Sequence, residues 1–236
     1  KNQDVAGFVF EPLLQGAAGM IMYKPDILNE LMKICKEYDV ITIADEVSTG
    51  FGRTGKYFAT DYLRFQPDII CMSKGITGGV MALGATSTTL KIYNAFLSND
   101  KSKMFLHGHS YTGNPFACVA AKASLEILKR DDTWKSIKRI SSANDNFVNT
   151  IINHPQVSNA RSLGVIVALS VKSKSEQSYF NYLRDKLYKF FISRKILLRP
   201  LGNVIYVMPP YCITNEELNI VYDAISELLN QLNFKL

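Results

Sequence analysis

The spacing of apolar positions changes along this chain, and each change marks an element. Residues 5–11 (VAGFVFE) form a short apolar run that stops at Glu11-Pro12, which predicts a strand. Between residues 25 and 38, the apolar side chains Ile27, Leu28, Leu31, Ile34, Cys35 and Tyr38 recur at the spacing of a helix face, and Pro25 suits its first turn. Residues 40–44 (VITIA) and 68–72 (DIICM) are continuous apolar runs, the pattern of strands covered on both faces. Residues 84–89 (GATSTT) read as a weaker strand, and Asn114-Pro115 caps and opens a helix that runs to about Lys129. This alternation predicts an α/β fold with a mostly parallel sheet covered by helices.

From residue 133 the pattern differs. A helix over 133–152 is followed by a strand near 163–171, a helix near 177–194, strands over 196–199 and 204–208, and a last helix over 216–232. Thr214 and Glu217 have the spacing of a capping box for that helix, and Leu218, Val221, Ile225, Leu228 and Leu232 form its expected buried stripe. This part reads as a smaller α+β domain. The expected division is 1–132 and 133–236, with the boundary near residues 131–134. No internal repeat or low-complexity tract interrupts either part.

Composition narrows the function classes. The chain has 236 residues, of which 47% are hydrophobic and 20% charged, as expected of a globular protein. Its net charge is +6, but the Lys and Arg residues are dispersed, so no nucleic-acid partner is expected. The longest uncharged stretch, 104–121, carries His, Asn, Pro, Gly, Ser and Thr, so no membrane span is expected, and no signal peptide is read. Cys35, Cys71, Cys118 and Cys212 form no CxxC pair and lie in apolar contexts, which predicts buried, reduced thiols. His107 and His109 lack a further nearby ligand, and His154 stands apart, so no metal site is expected.

Candidate chemistry lies beyond the carboxyl ends of the strands, where ligands collect in open parallel sheets. Asp45-Glu46 ends VITIADE, Ser73-Lys74 ends DIICMSK ahead of Gly75, Gly78 and Gly79, and residues 50–56 form a Gly-rich loop. A lysine in such a place can become an amine nucleophile and form a Schiff base. A carboxylate opposite it suits pyridoxal 5'-phosphate, whose ring nitrogen must stay protonated. On pattern alone, Lys74 reads equally as a solvated turn lysine and Asp45 as a helix or turn cap. A nucleotide-binding reading of VITIADE with residues 50–56 fails. Tyr57 stands where magnesium needs Ser or Thr, and the loop follows the acidic strand. Residues 108–113 spell GxSxxG, which is not the hydrolase elbow GxSxG.

Taken in order, Glu11-Pro12 with Gln15-Gly16, Ala44-Asp45-Glu46-Val47, the loop TGFGRTG over 49–55, Pro67-Asp68, Ser73-Lys74-Gly75 and Gly113-Asn114-Pro115 carry a resemblance. Along its whole length the chain resembles the class III (ornithine/GABA-type) aminotransferases of PLP fold type I. GGVMAL (78–83), His107-Gly108, RPLG (199–202) and IYVMPPY (205–211) are similar to one branch of that family. That branch converts 8-amino-7-oxononanoate to 7,8-diaminononanoate in biotin biosynthesis, with S-adenosylmethionine or, in some members, lysine as amino donor. Ala17 agrees, because several amino-acid-using members carry an acidic residue there.

The resemblance implies a pyridoxal 5'-phosphate enzyme, cytoplasmic and homodimeric, with active sites at the interface. It implies that Lys74 holds the cofactor as a Schiff base and, once freed, shuttles the substrate proton. Asp45 would pair with the pyridinium nitrogen and Val47 would pack on the ring. Gly108 and Ser110 would lie at the phosphate, across the dimer interface. Ser110 stands where family members often have Thr, and His109 replaces a common proline. Arg199 would bind a substrate carboxylate as a bidentate fork. Arg53 and Tyr206 would contact substrate, unless Arg53 instead holds the Gly-rich loop. Alternatives are another class III transaminase acting on an ω-amino acid or diamine, and a non-catalytic fragment. The chain opens Lys1-Asn2-Gln3-Asp4 without Met. Family members carry an earlier stretch with a Gly-Ser phosphate turn and a ring-stacking aromatic. The expectation is therefore the later part of a longer enzyme, inactive by itself.

Overall fold

Strands and helices alternate in a computed structural model that describes residues 4–173 and 181–232. In chain order these are β1 (Gly7–Phe10), β2 (Leu14–Gln15), β3 (Ile21–Met22), α1 (Pro25–Glu37), β4 (Ile41–Asp45), β5 (Ile69–Met72), β6 (Ala85–Thr88), α2 (Leu90–Phe96) and α3 (Pro115–Leu128). There follow α4 (Asp131–Ile151), β7 (Val157–Leu163), β8 (Ile166–Val171), α5 (Leu183–Ser193), β9 (Val204–Val207) and α6 (Asn215–Gln231). Two compact units result. The first comprises the chain up to Leu13, Tyr23–Phe51 and Lys56–Arg130; the second comprises Leu14–Met22, Gly52–Gly55 and the chain from Asp131. Two short segments that a single linear boundary leaves in the first domain thus cluster with the second unit.

The first unit is built on a sheet of order β1-β4-β5-β6. The first three strands are parallel, and β6 returns antiparallel to β5. Asp68 sets the register where β4 and β5 begin. Its Oδ2 accepts from the amide of Thr42 at 2.9 Å and from its hydroxyl at 2.8 Å, while Thr42 Oγ1 accepts from the Asp68 amide at 3.1 Å. Cover is uneven. Thr42 and Ala44 are buried, but Ile41 and Ile43, expected to be covered as well, are only half-buried, and Val9 of β1 is 64% exposed. The apolar stripe of α1 divides likewise: Leu28 is buried with Asn29 and Met32, whereas Ile27, Leu31, Ile34 and Tyr38 are exposed. Buried Asn29 is satisfied because its Oδ1 accepts from the amide of Arg64 at 2.8 Å.

The second unit carries an antiparallel sheet, β7-β8-β9. The apolar run at 163–171 is not one strand but a hairpin corner: β7 ends at Leu163, Gly164 turns with φ +57°, and β8 begins at Ile166. Gly164 must be glycine. A Cβ there would lie 2.3 Å from the carbonyl carbon of Thr54 and 2.5 Å from the Arg53 oxygen and the Gly55 nitrogen. Every residue of β8 is buried: the strand is central in its sheet, and α4 packs against β7 and β8. The strand expected over 196–199 does not form. Leu197 is 73% exposed, Pro200 lacks an amide to donate, and the segment runs as an irregular loop into the bridge Leu201↔Val204.

α5 begins at Leu183, and the expected helical residues 177–180 lie outside the described residues. The capping box of α6 forms: Thr214 Oγ1 accepts from the Glu217 amide at 3.2 Å, and Glu217 Oε2 accepts from the Thr214 amide at 2.8 Å. Leu218, Ile225, Leu228 and Leu232 are buried as expected, while Val221 is half-buried and Tyr222 takes part in the core. Tyr222 stacks on Phe147 at 4.2 Å between ring centroids and donates to Asn144 Oδ1 at 2.7 Å; burial raises its pKa.

The cysteine expectation needs correction. All four thiols are free, but Cys35 and Cys71 are half-buried and Cys118 and Cys212 are exposed. Ile34, beside Cys35, and Val119, beside Cys118, are themselves exposed, so these apolar neighbours do not cover the thiols. Among the described residues, no helix is long and apolar enough to cross a membrane.

Candidate active site

In the first unit, β4 and β5 bring Asp45 and Lys74 to the same end of the sheet. Asp45 is the last residue of β4 and stands opposite Cys71 of β5. The ladder continues one step further, with the Glu46 amide donating to the Cys71 carbonyl at 2.9 Å. Asp45 Oδ1 accepts from the amide of Val47 at 3.0 Å. One carboxylate oxygen therefore caps the turn and fixes the side chain. The other oxygen accepts no hydrogen bond among the described residues.

Glu46 then anchors the loop. Its side chain is fully buried, and its Oε1 accepts from the Thr60 amide at 2.7 Å. Oε2 accepts from the Thr49 hydroxyl at 2.5 Å and from the Ala59 amide at 3.1 Å, and the Glu46 carbonyl accepts from the Gly50 amide at 2.9 Å. A carboxylate with three donors is well matched to a dry site. Glu46 thus ties the start of this segment to the turn Ala59–Tyr62 and to β5, and Thr49 and Gly50 close the segment back on Glu46.

Lys74 opens the 3-10 turn Lys74–Thr77, just past β5. Its φ is +45°, a conformation costing a non-glycine residue about 1–2 kcal/mol. Gly75 lets the turn lie against Phe51, because a Cβ at Gly75 would come within 2.9 Å of the Phe51 Cβ. Its carbonyl accepts from Ser124 Oγ of α3 at 3.3 Å. The Lys74 side chain is exposed, and its Nζ donates to Ser48 Oγ at 2.7 Å. Asp45, Val47 and Lys74 are therefore linked through four consecutive residues, 45–48.

Gly108 and Ser110 lie in an exposed loop, 104–113. His109 makes a turn: its ring Nδ1 accepts from the Tyr111 amide at 3.1 Å, and the His109 amide donates to Thr112 Oγ1 at 2.9 Å. Asn114 caps α3 as expected, its Oδ1 accepting from the Phe116 amide at 2.9 Å. Among the described residues, no hydrogen bond joins Gly108 or Ser110 to Lys74 or Asp45.

The other three candidates belong to the second unit. The Arg53 carbonyl accepts from the Val165 amide at 2.9 Å, so the Gly-rich loop is held at the hairpin corner. Burial lowers the pKa of the Arg53 guanidinium, partly offset by the attraction of Tyr211. Burial pushes Tyr211 up to about 12 against that same attraction. Tyr206 is half-buried on β9 opposite Ala168, and Arg199 is exposed in the loop before it, with no side-chain partner among the described residues. Among the described residues, no group of three or more His, Cys, Asp or Glu side chains could hold a metal ion.

Sequence reasoning missed Ser48, the anchoring by Glu46, the pairing of Arg53 with Tyr211, and Arg161. Arg161 donates to the carbonyls of Met20 and Gly19, each at 2.6 Å, and so holds the turn between β2 and β3. Ser48 fell between the motifs 44–47 and 49–55, next to the candidate Val47, and that adjacency was the available signal. Nothing in sequence marks Arg161.

The architecture is that of the transaminases of PLP fold type I. Residues 1–229 match the family described as Aminotransferase class-III, and the chain belongs to that family. It is 43% identical over 229 residues to the adenosylmethionine-8-amino-7-oxononanoate aminotransferase of Synechococcus elongatus, covering 97% of this chain and 53% of that protein. The Helicobacter pylori protein of the same name is 37% identical, covering 98% and 53%. The solved structure of the Methanocaldococcus jannaschii protein of that name superposes with a TM-score of 0.88 at 36% identity, covering 96% of this chain and 54% of that one. An (S)-enantioselective omega-transaminase from Thermomicrobium roseum gives 0.87 at 29% identity, covering 97% and 52%. The chain spans about half the length of the curated relatives it matches.

Proposed function

We propose that this chain is the C-terminal part of a pyridoxal 5'-phosphate-dependent aminotransferase of biotin biosynthesis. It converts 8-amino-7-oxononanoate to 7,8-diaminononanoate, with S-adenosylmethionine as amino donor. The observation that carries the chemistry is the Lys74 amine and Asp45 carboxylate at one end of neighbouring strands, joined through Ser48 and the 46–50 loop. Kinship with relatives bearing the name of this reaction narrows the substrate.

The donor set fits the cofactor. A primary amine is present for covalent attachment, and a carboxylate with one oxygen fixed and the other open is present for a protonated ring nitrogen. When bound, the cofactor supplies an electron sink for the pair left at the substrate carbon. Lys74 anchors it through Nζ and, when released, carries the proton to and from that carbon. Asp45 keeps the proton on the ring nitrogen through its open oxygen, and Val47 packs against the ring. Gly108 and Ser110 hold the phosphate across a homodimer interface. Arg199 forks the substrate carboxylate. Tyr206 contacts substrate, and Arg53, half-buried and with its carbonyl bonded to the Val165 amide, supports the loop beside it.

Residues 1–132 are then part of the large cofactor domain and 133–236 the small domain. The uncovered side chains Val9, Ile27, Leu31 and Ile34 support a packing face for the remainder of the enzyme. A cytoplasmic location belongs to the same reading. The test is to supply the full-length protein with pyridoxal 5'-phosphate, the keto acid and either S-adenosylmethionine or lysine, and to detect 7,8-diaminononanoate by mass spectrometry. Product is expected, and Lys74→Ala abolishes it. No product with either donor, alongside turnover of a diamine or ω-amino acid, overturns the substrate. Residues 1–236 alone are expected to be inactive.

A further inference from the structure

Lysine reaches its amine through four rotatable bonds, and the Lys74 side chain is exposed among the described residues. One polar contact holds the nitrogen. The Lys74 Nζ donates to the Ser48 hydroxyl at 2.7 Å, and Ser48 sits on the loop that Glu46 anchors. Before it, the Val47 amide donates to Asp45 Oδ1. After it, the Thr49 hydroxyl donates to buried Glu46, and the Gly50 amide closes back on the Glu46 carbonyl. Ser48 Oγ is thus a fixed point, and it stands three residues from the carboxylate that serves the cofactor ring.

We propose that Ser48 is a positioning residue for the Lys74 amine. Its hydroxyl accepts one N–H whenever the amine is not attached to cofactor, and it presents the nitrogen lone pair for attachment. This rests on the reading of Lys74 as the cofactor lysine. In attachment the neutral Lys74 nitrogen would bond to an aldehyde carbon, and the aldehyde oxygen would leave as one water molecule with the two amine hydrogens. A neutral amine that gives one hydrogen to Ser48 keeps its lone pair for that bond. Without Ser48, the amine is spread over the rotamers of a solvated lysine and reaches the bonding geometry less often. The same contact receives the amine each time the substrate displaces it, so Ser48 acts in each half of the reaction.

The test uses the full-length protein stripped of cofactor. Pyridoxal 5'-phosphate is added and the visible band of covalent attachment is followed by stopped flow, with borohydride fixation and mass spectrometry locating it on Lys74. Ser48→Ala is expected to slow attachment about threefold to tenfold, the range of one hydrogen bond. Ser48→Thr, which keeps the hydroxyl, is expected to stay within about twofold of the parent. Affinity for pyridoxamine 5'-phosphate, which has no aldehyde, is expected to be unchanged in Ser48→Ala; a general loosening of the site would lower it. Attachment at the parent rate in Ser48→Ala overturns the proposal, as does a slowing that Thr does not restore or that comes with weaker pyridoxamine 5'-phosphate binding. Failure of the parent protein to attach the cofactor at Lys74 overturns the underlying reading and this proposal with it.

Discussion

Glu46 offers the sharpest test of how the loop is built. Its carboxylate is fully buried and accepts from Thr49 Oγ1, the Ala59 amide and the Thr60 amide. Glu46→Gln keeps the shape but turns one acceptor oxygen into a donor. The remaining oxygen can still serve the Thr60 amide, and the Thr49 hydroxyl can rotate to accept from the new NH2 group. The Ala59 amide then faces another donor. An unsatisfied buried donor costs about 1–3 kcal/mol, so Glu46→Gln should lose about 2 kcal/mol of stability. Glu46→Ala leaves both amides without an acceptor and adds a cavity, so about 4 kcal/mol is expected. Against a usual stability of about 5–15 kcal/mol, that is a severe loss. Urea unfolding of the full-length protein measures both as shifts in midpoint at constant slope. A Glu46→Gln change below about 0.5 kcal/mol would refute the reasoning, because the Ala59 amide would then need no carboxylate.

Two further outcomes concern the second unit. Gly164→Ala should cost about 3 kcal/mol, from forcing a Cβ into the Arg53–Gly55 backbone and from its φ of +57°; an unchanged thermal midpoint would show that the corner can open without penalty. Burial raises Tyr211 to about 12 from 10.0, so the folded state favours the neutral phenol. That stabilisation is complete below pH 10 and is lost as pH climbs through 12. Tyr211→Phe should lose less stability over that alkaline range in thermal melts, and equal losses in both proteins would sink the assignment.

Much of the first unit could be read from the chain because its strands are short apolar runs closed by polar or turn residues, as at VITIADE and DIICMSK. The helix stop at Tyr38 and the Asn114 cap are likewise local signals. What escaped depended on partners far away in sequence. β7 reads VSNARSL, too polar to advertise a strand, and it forms because β8 needs a neighbour on each edge. Residues 196–199 have the composition of a strand, but they pair with no strand among the described residues and run as a loop into the bridge Leu201↔Val204. The candidate lysine and carboxylate could be read because each ends its own strand. The hydroxyl between them could not, because a serine in a turn has no distinguishing pattern until Lys74 folds back over it.

The scattered make-up of the second unit governs how the chain can be divided. Its hairpin corner closes over Gly52–Gly55, and Arg161 binds the carbonyls of Gly19 and Met20, so two pieces arrive from far upstream. The polypeptide therefore passes between the units at several points, and no single cut releases the second unit whole. A ribosome making this chain delivers those two pieces well before the sheet that receives them, and they must wait, unassembled, until residues 157–171 emerge.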